Sequence, residues 1–207
     1  VGTRGRSIPR ALFPPLAGVL ARLGVTPNMV TVAGTVASIA IALVCIPRGW
    51  IWQGGIALAI VMFGDSVDGT LARMTTGGTR FGAFLDSTLD RLADGAVFGS
   101  LTAYAVFQMG DSPVRTWTVI AGICSIIGAA TVPYARARAE SVGVVAKLGI
   151  AERTDRLIIG NGSAMVMSLG APQWVFAAGL TWVAAASFVT VCQRIWYTAR
   201  TIDEAVQ

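Results

Sequence analysis

The sequence predicts an all-α integral membrane protein of six transmembrane helices, preceded by an amphipathic helix lying at the membrane interface. Two observations carry that expectation. The chain is 54% hydrophobic and only 13% charged, with a mean hydropathy of +0.66. Residues 29–47, 49–64, 95–110, 116–135 and 157–193 are runs without Asp, Glu, Lys or Arg. A helix needs about 20 such residues to cross the hydrocarbon core. The runs are continuous rather than alternating, which excludes a β-barrel.

Taken in order, residues 1–26 form a juxtamembrane segment. Between Ser7 and Leu23, Arg10 and Arg22 stand among Leu, Phe and Val, the pattern of an interfacial helix. The Arg-rich start, with Pro9, Pro14 and Pro15, is not that of a cleavable signal peptide. Spans are expected over 28–47, 50–73, 81–109, 114–138, 154–170 and 174–197. The Gly77–Gly78 pair in MTTGGT turns the chain between the second and third, making them antiparallel neighbours. The run 157–193 is about twice what a bilayer needs, and Gly170, Pro172 and Gln173 divide it. Residues 27–200 thus read as one membrane domain and 201–207 as a cytoplasmic tail.

Six spans put both termini on one side, together with the turns near 74–80 and 139–153. That side carries every Lys and Arg except Arg48 and Arg115, which is 14 of the 16. By the positive-inside rule it is cytoplasmic. The net charge of +5 then reflects topology and anionic ligands. Nucleic acid is excluded as a partner, since no basic face with interleaved aromatics occurs. Cys45, Cys124 and Cys192 lie singly within spans and read as small packing residues. The chain has no His, which removes the commonest general base and leaves oxygen ligands for a hard cation.

Four of the 11 acidic residues, Asp65, Asp68, Asp86 and Asp90, fall within 26 positions of this oily chain. A carboxylate at mid-membrane depth costs about 2.5–3.5 kcal/mol on insertion scales, so the cluster is a functional-site hypothesis. A structural role would call for paired Arg or Lys rather than Asp beside Asp. Residues three or four apart share a helix face, so Asp65 pairs with Asp68, and Gly82, Asp86 and Asp90 form a stripe. Asp65 lies about 12 Å below Arg73 and Asp90 about 15 Å below Arg80 at 1.5 Å per residue. All four can converge in the cytoplasmic half of the membrane, where their mutual repulsion demands a cation. Gly69 and Gly82 admit close approach of a backbone or ligand, and Arg73 at the mouth suits a phosphate.

The pattern Asp65-x2-Asp68-Gly69-x2-Ala72-Arg73-x8-Gly82-x3-Asp86-x3-Asp90 resembles the complete signature of the CDP-alcohol phosphotransferase family. The resemblance spans essentially the whole chain. It implies six transmembrane helices, usually in a homodimer, and transfer of a substituted phosphoryl group from a CDP-linked donor to an alcohol with release of CMP. It implies that Asp65, Asp68 and Asp86 ligate one or two divalent ions, with Mg²⁺ the expected metal and Mn²⁺ the other candidate. Asp90 would be a further ligand or the base that deprotonates the acceptor. Gly69, Ala72, Arg73, Thr79 and Gly82 would meet the donor, CDP-diacylglycerol. So would Asn28, Met29, Val30 and Thr31, in the stretch after Pro27; read from local chemistry alone, Asn28 is equally a helix cap.

The acceptor is read from Arg136, Arg138 and Glu140 after Pro133, and from Glu152, Arg153, Asp155 and Arg156. With Asp86-Ser-Thr-Leu-Asp90-Arg91, these resemble the actinobacterial-type phosphatidylinositol phosphate synthases. Relatives commonly have Lys where Arg136 stands. The resemblance implies a bacterial cell membrane and an inositol phosphate pocket drawing on Arg136, Arg138, Arg153, Arg156 and Arg194. Arg136 and Arg138 are about 200° apart on a helix, so both face one cavity only if that helix unwinds near Pro133. The alternative for each Arg is a lipid-headgroup anchor. Two rival functions stand beside this one: a phosphatidylglycerophosphate synthase using glycerol phosphate, and an acidic-lined cation transporter.

Overall fold

The computed structural model describes residues 24–61, 79–150 and 152–206, with side chains through residue 202. The expected N-terminal interfacial helix, Asp65, Asp68, Gly69, Ala72 and Arg73 lie outside the described residues. All regular structure among the described residues is helical. It comprises α1 (Pro27–Cys45), a 3-10 turn (Ile46–Arg48), α2 (Ile51–Val61), α3 (Arg80–Gln108), α4 (Pro113–Ser141), α5 (Arg153–Ser168) and α6 (Gln173–Val206).

Local chemistry sets the ends of these helices. Pro27 opens α1, and the Thr26 hydroxyl accepts from the Met29 amide at 3.3 Å, so Thr26 rather than Asn28 is the cap. Thr79 caps α3 through the Gly82 amide at 2.9 Å. Ser112 caps α4 through the Arg115 amide at 3.1 Å, followed by Pro113. Ahead of α5, the Glu152 amide donates to Asp155 Oδ2 at 3.1 Å. Between α5 and α6 the chain turns at Gly170, whose φ of 103° a side chain would oppose. Pro172 then precedes α6, so the long apolar run divides where Gly170 and Pro172 require.

Among the described residues, three helical stretches are long and apolar enough to cross a membrane: Pro27–Arg48, Pro113–Ser141 and Gln173–Ile202. The 29 residues of α3 reach about 43 Å, but Asp86, Asp90, Arg91 and Asp94 crowd its first half. The 16 residues of α5 reach about 24 Å, short of the ~30 Å core.

The chain divides into two compact units, Val1–Ile41 with Ile56–Ala93, and Ala42–Gly55 with Asp94–Gln207. In the first, Thr35, Ser38, Leu58 and Ala93 are buried. In the second, α6 packs against α4 and α5 around Phe98, Leu101, Phe176, Leu180 and Val183, all fully buried. Small residues let these helices approach closely. A Cβ at Gly128 would stand 2.6 Å from Ser187 Cβ, and one at Gly179 would stand 2.3 Å from Ser163 Oγ. Hydroxyls tie the same interfaces: Ser125 donates to the Leu180 carbonyl at 2.9 Å, and the Trp117 indole donates to Thr181 at 2.9 Å.

Candidate active site

Within the first unit, the start of α3 carries Gly82, Asp86 and Asp90 at four-residue intervals, and therefore on one face. Asp86 is exposed and Asp90 half-buried. Arg91 Nη2 stands 3.4 Å from Asp90 Oδ2, while its own Nε is buried without a hydrogen-bond partner. No group of three His, Cys, Asp or Glu comes together among the described residues; Asp65 and Asp68 are not among them. Asp86 and Asp90 are thus the two described members of the acidic set. The donor set fits a hard divalent cation, being carboxylate throughout in a chain without His.

The structure brings three of the expected donor contacts together. A Cβ at Gly82 would stand 3.1 Å from Thr79 Oγ1 and 3.2 Å from Asn28 Oδ1. The missing side chain of Gly82 is what lets the first turns of α1 and α3 set an amide and a hydroxyl side by side. Thr31 donates to the Pro27 carbonyl at 3.1 Å. Met29 is exposed and Val30 half-buried. From Asn28 an open, almost wholly apolar groove of about 670 Å³ follows α1 past Met29, Val32, Ala33, Val36 and Ala40.

The arginines belong to the second unit, and they do not form one group. Helix α4 runs through Pro133 without unwinding, so Arg136 and Arg138 stay on different faces and the convergence that unwinding would allow does not occur. Arg136 Nε pairs with Glu140 Oε1 at 2.9 Å. Arg138 lies near Ser141 Oγ at 3.3 Å and lines a groove of about 430 Å³ with Tyr134, Arg194 and Thr198. Arg194 donates from Nε to the Leu148 carbonyl at 3.0 Å and from Nη1 to the Val132 carbonyl. Those bonds tie the 142–150 loop and α4 to α6. Arg153 Nε donates to Asp94 Oδ1 at 2.8 Å, and Arg156 Nη2 lies 3.8 Å from Asp94 Oδ2. Asp94, 1% exposed, is the residue that sequence reasoning passes over. The signal was present: it extends the Asp86–Asp90 spacing by another four residues.

The family model for CDP-alcohol phosphatidyltransferases matches residues 24–192. The chain belongs to that family. It is therefore an enzyme of phospholipid chemistry set in a membrane, and the transporter reading falls away. Among its relatives is a phosphatidylinositol phosphate synthase of Cutibacterium acnes, 40% identical over 87% of this chain and 89% of that one. Another, from Mycobacteroides abscessus, is 42% identical over 87% of this chain and 80% of its own length. Two crystal structures of the Mycobacterium tuberculosis phosphatidylinositol phosphate synthase share the fold. The one with CDP-DAG bound gives a TM-score of 0.84 at 37% identity, covering 91% of this chain and 94% of that one. The complex with manganese and citrate gives 0.83 at 38% identity, covering 90% and 88%.

Proposed function

We propose that this chain transfers the phosphatidyl group of CDP-diacylglycerol to a hydroxyl of inositol phosphate, forming phosphatidylinositol phosphate and CMP. The observation that carries the reading is the identity of about 40% with phosphatidylinositol phosphate synthases over most of both chains. The cradle of Asn28, Thr79 and Gly82 supports the donor half of it. A cytidine diphosphate headgroup needs polar contacts above an apolar path, and the α1 groove runs from Asn28 along alanines and valines. In this reading Met29, Val30, Thr31, Gly69, Ala72 and Arg73 complete the donor contacts.

Asp65, Asp68, Asp86 and Asp90 would hold one or two divalent ions, Mg²⁺ or Mn²⁺. The chemistry such an ion would supply when bound is neutralisation of the pyrophosphate charge. Asp90 takes the proton of the acceptor hydroxyl; its oxygen bonds to the phosphatidyl phosphorus as the bond to the CMP oxygen breaks. A carboxylate serves as base because neighbouring negative charge raises its proton affinity. The cationic side chain for a phosphorylated acceptor would come from among Arg153, Arg156, Arg194, Arg136 and Arg138, of which Arg153 keeps 29% exposure beside its bond to Asp94.

The enzyme would sit in a bacterial cell membrane as a homodimer of six-span protomers, its site open to the cytoplasm. The 14-to-2 division of cations supports that orientation. Exposed Trp50, Trp117 and Trp174, each at the start of α2, α4 or α6, would form one aromatic belt, which supports placing those three starts on a common side.

The test is CMP release from CDP-diacylglycerol with inositol phosphate, glycerol phosphate or free inositol as acceptor. Selective turnover with inositol phosphate is expected. Preference for glycerol phosphate would replace this reading with a phosphatidylglycerophosphate synthase.

A further inference from the structure

Asp94 stands apart from the other carboxylates of α3. Its side chain is 2% exposed, and the two cations near it come from the first turn of α5, Arg153 and Arg156. Of its two oxygens, Oδ1 accepts from Arg153 Nε at 2.8 Å. Oδ2 is buried without a hydrogen-bond partner, with Arg156 Nη2 at 3.8 Å. The directional bond is therefore the one to Arg153, whereas Arg156 contributes charge. The two arginines also differ in access: the Arg153 side chain keeps 29% exposure and that of Arg156 only 3%.

A guanidinium gripped through Nε has its plane and heading set. Its planar fork of donors is what matches a phosphate in two-point recognition. A bridge serving stability alone would satisfy both oxygens of the buried carboxylate. This one spends its good geometry on the more exposed arginine.

We infer that Asp94 is a positioning residue that orients Arg153 toward the phosphate of the acceptor. The inference rests on the proposed role of Arg153 in acceptor binding, and it adds a residue four positions beyond Asp90 on the same helix to the determinants of acceptor recognition. Asp94 touches no substrate and acts through the guanidinium.

The experiment measures acceptor KM, donor KM and kcat for Asp94→Asn, Arg153→Ala and the double variant, with inositol phosphate and CDP-diacylglycerol as substrates. Asp94→Asn is expected to raise acceptor KM about 5- to 30-fold with donor KM within about twofold. In the double variant acceptor KM should equal that of Arg153→Ala alone, because a residue acting through Arg153 has nothing left to act on. A purely structural bridge would lower the melting temperature without moving acceptor KM selectively. If Asp94→Asn does not fold, Asp94→Glu keeps the charge that Arg156 requires while moving the carboxylate by one methylene. It should still raise acceptor KM. A raised KM in Arg153→Ala beside unchanged values in Asp94→Asn and Asp94→Glu overturns the positioning role and leaves the proposed function standing. An unchanged KM in Arg153→Ala overturns both the pocket assignment of Arg153 and this inference.

Discussion

Gly82→Ala separates stability from substrate binding, because its two contributions to stability offset one another and its effects on binding do not. The new Cβ would meet Thr79 Oγ1 at 3.1 Å and Asn28 Oδ1 at 3.2 Å. Ordinary van der Waals contact begins near 3.4 Å, so each oxygen must give by a few tenths of an ångström. Both are ends of side chains and can do so. Alanine in place of glycine in the first turn of α3 contributes about 0.5–1 kcal/mol through the unfolded chain. Weakening the Thr79 cap costs a similar amount. The melting temperature should therefore change little. The donor contacts have no such compensation. Misplacing the Asn28 amide and the Thr79 hydroxyl forfeits one or two hydrogen bonds of about 1 kcal/mol each, a rise of roughly 5- to 30-fold in donor KM. The assay is CMP release in mixed micelles with CDP-diacylglycerol varied and inositol phosphate saturating, beside a thermal melt. A donor KM within twofold of the parent would refute the idea that this cradle receives the nucleotide. A large loss of stability would refute the idea that the oxygens yield.

Three further outcomes are expected. Asp90→Asn should abolish CMP release in a folded protein, and Asp86→Asn should raise the metal concentration for half-maximal rate; near-normal turnover by Asp90→Asn would remove Asp90 as base. Arg194→Ala deletes charged donors to the carbonyls of Leu148 and Val132, so it should destabilise by about 1–3 kcal/mol and lower the melting temperature by several degrees. An unchanged melt would mean that the 142–150 loop does not depend on that tie. Cysteines introduced at positions 77 and 147 should be labelled only from the cytoplasmic side, and those at 48 and 112 only from outside. Labelling of position 77 from outside would invert the topology.

Much of this fold was legible because its signals are local. A run without charges, a proline at a first turn and a glycine at positive φ act within a few residues, so α1, α3, α4 and α5 begin and end within a few residues of the spans read from the sequence, whereas α6 begins one residue before the expected 174 and runs nine residues past the expected 197. The face shared by Gly82, Asp86 and Asp90 follows from helical periodicity alone. Even so, a local competition was decided only in the structure. Asn28 and Thr26 are both good caps, and Thr26 takes the Met29 amide because Pro27 starts the helix one residue before Asn28.

What tertiary structure alone decided is which charges meet. Nothing near Asp94 in sequence announces Arg153 and Arg156, 59 and 62 positions further on. Their pairing depends on which faces of α3 and α5 come together, and Gly160 against Phe98 helps set that fit. Likewise nothing local announces that Arg194 donates to the carbonyls of Leu148 and Val132. Composition and periodicity determined that the chain would form membrane helices with an acidic stripe on the third. The partners of its buried cations were determined by close packing, because a charge removed from water must find its counterpart across an interface that no local pattern encodes.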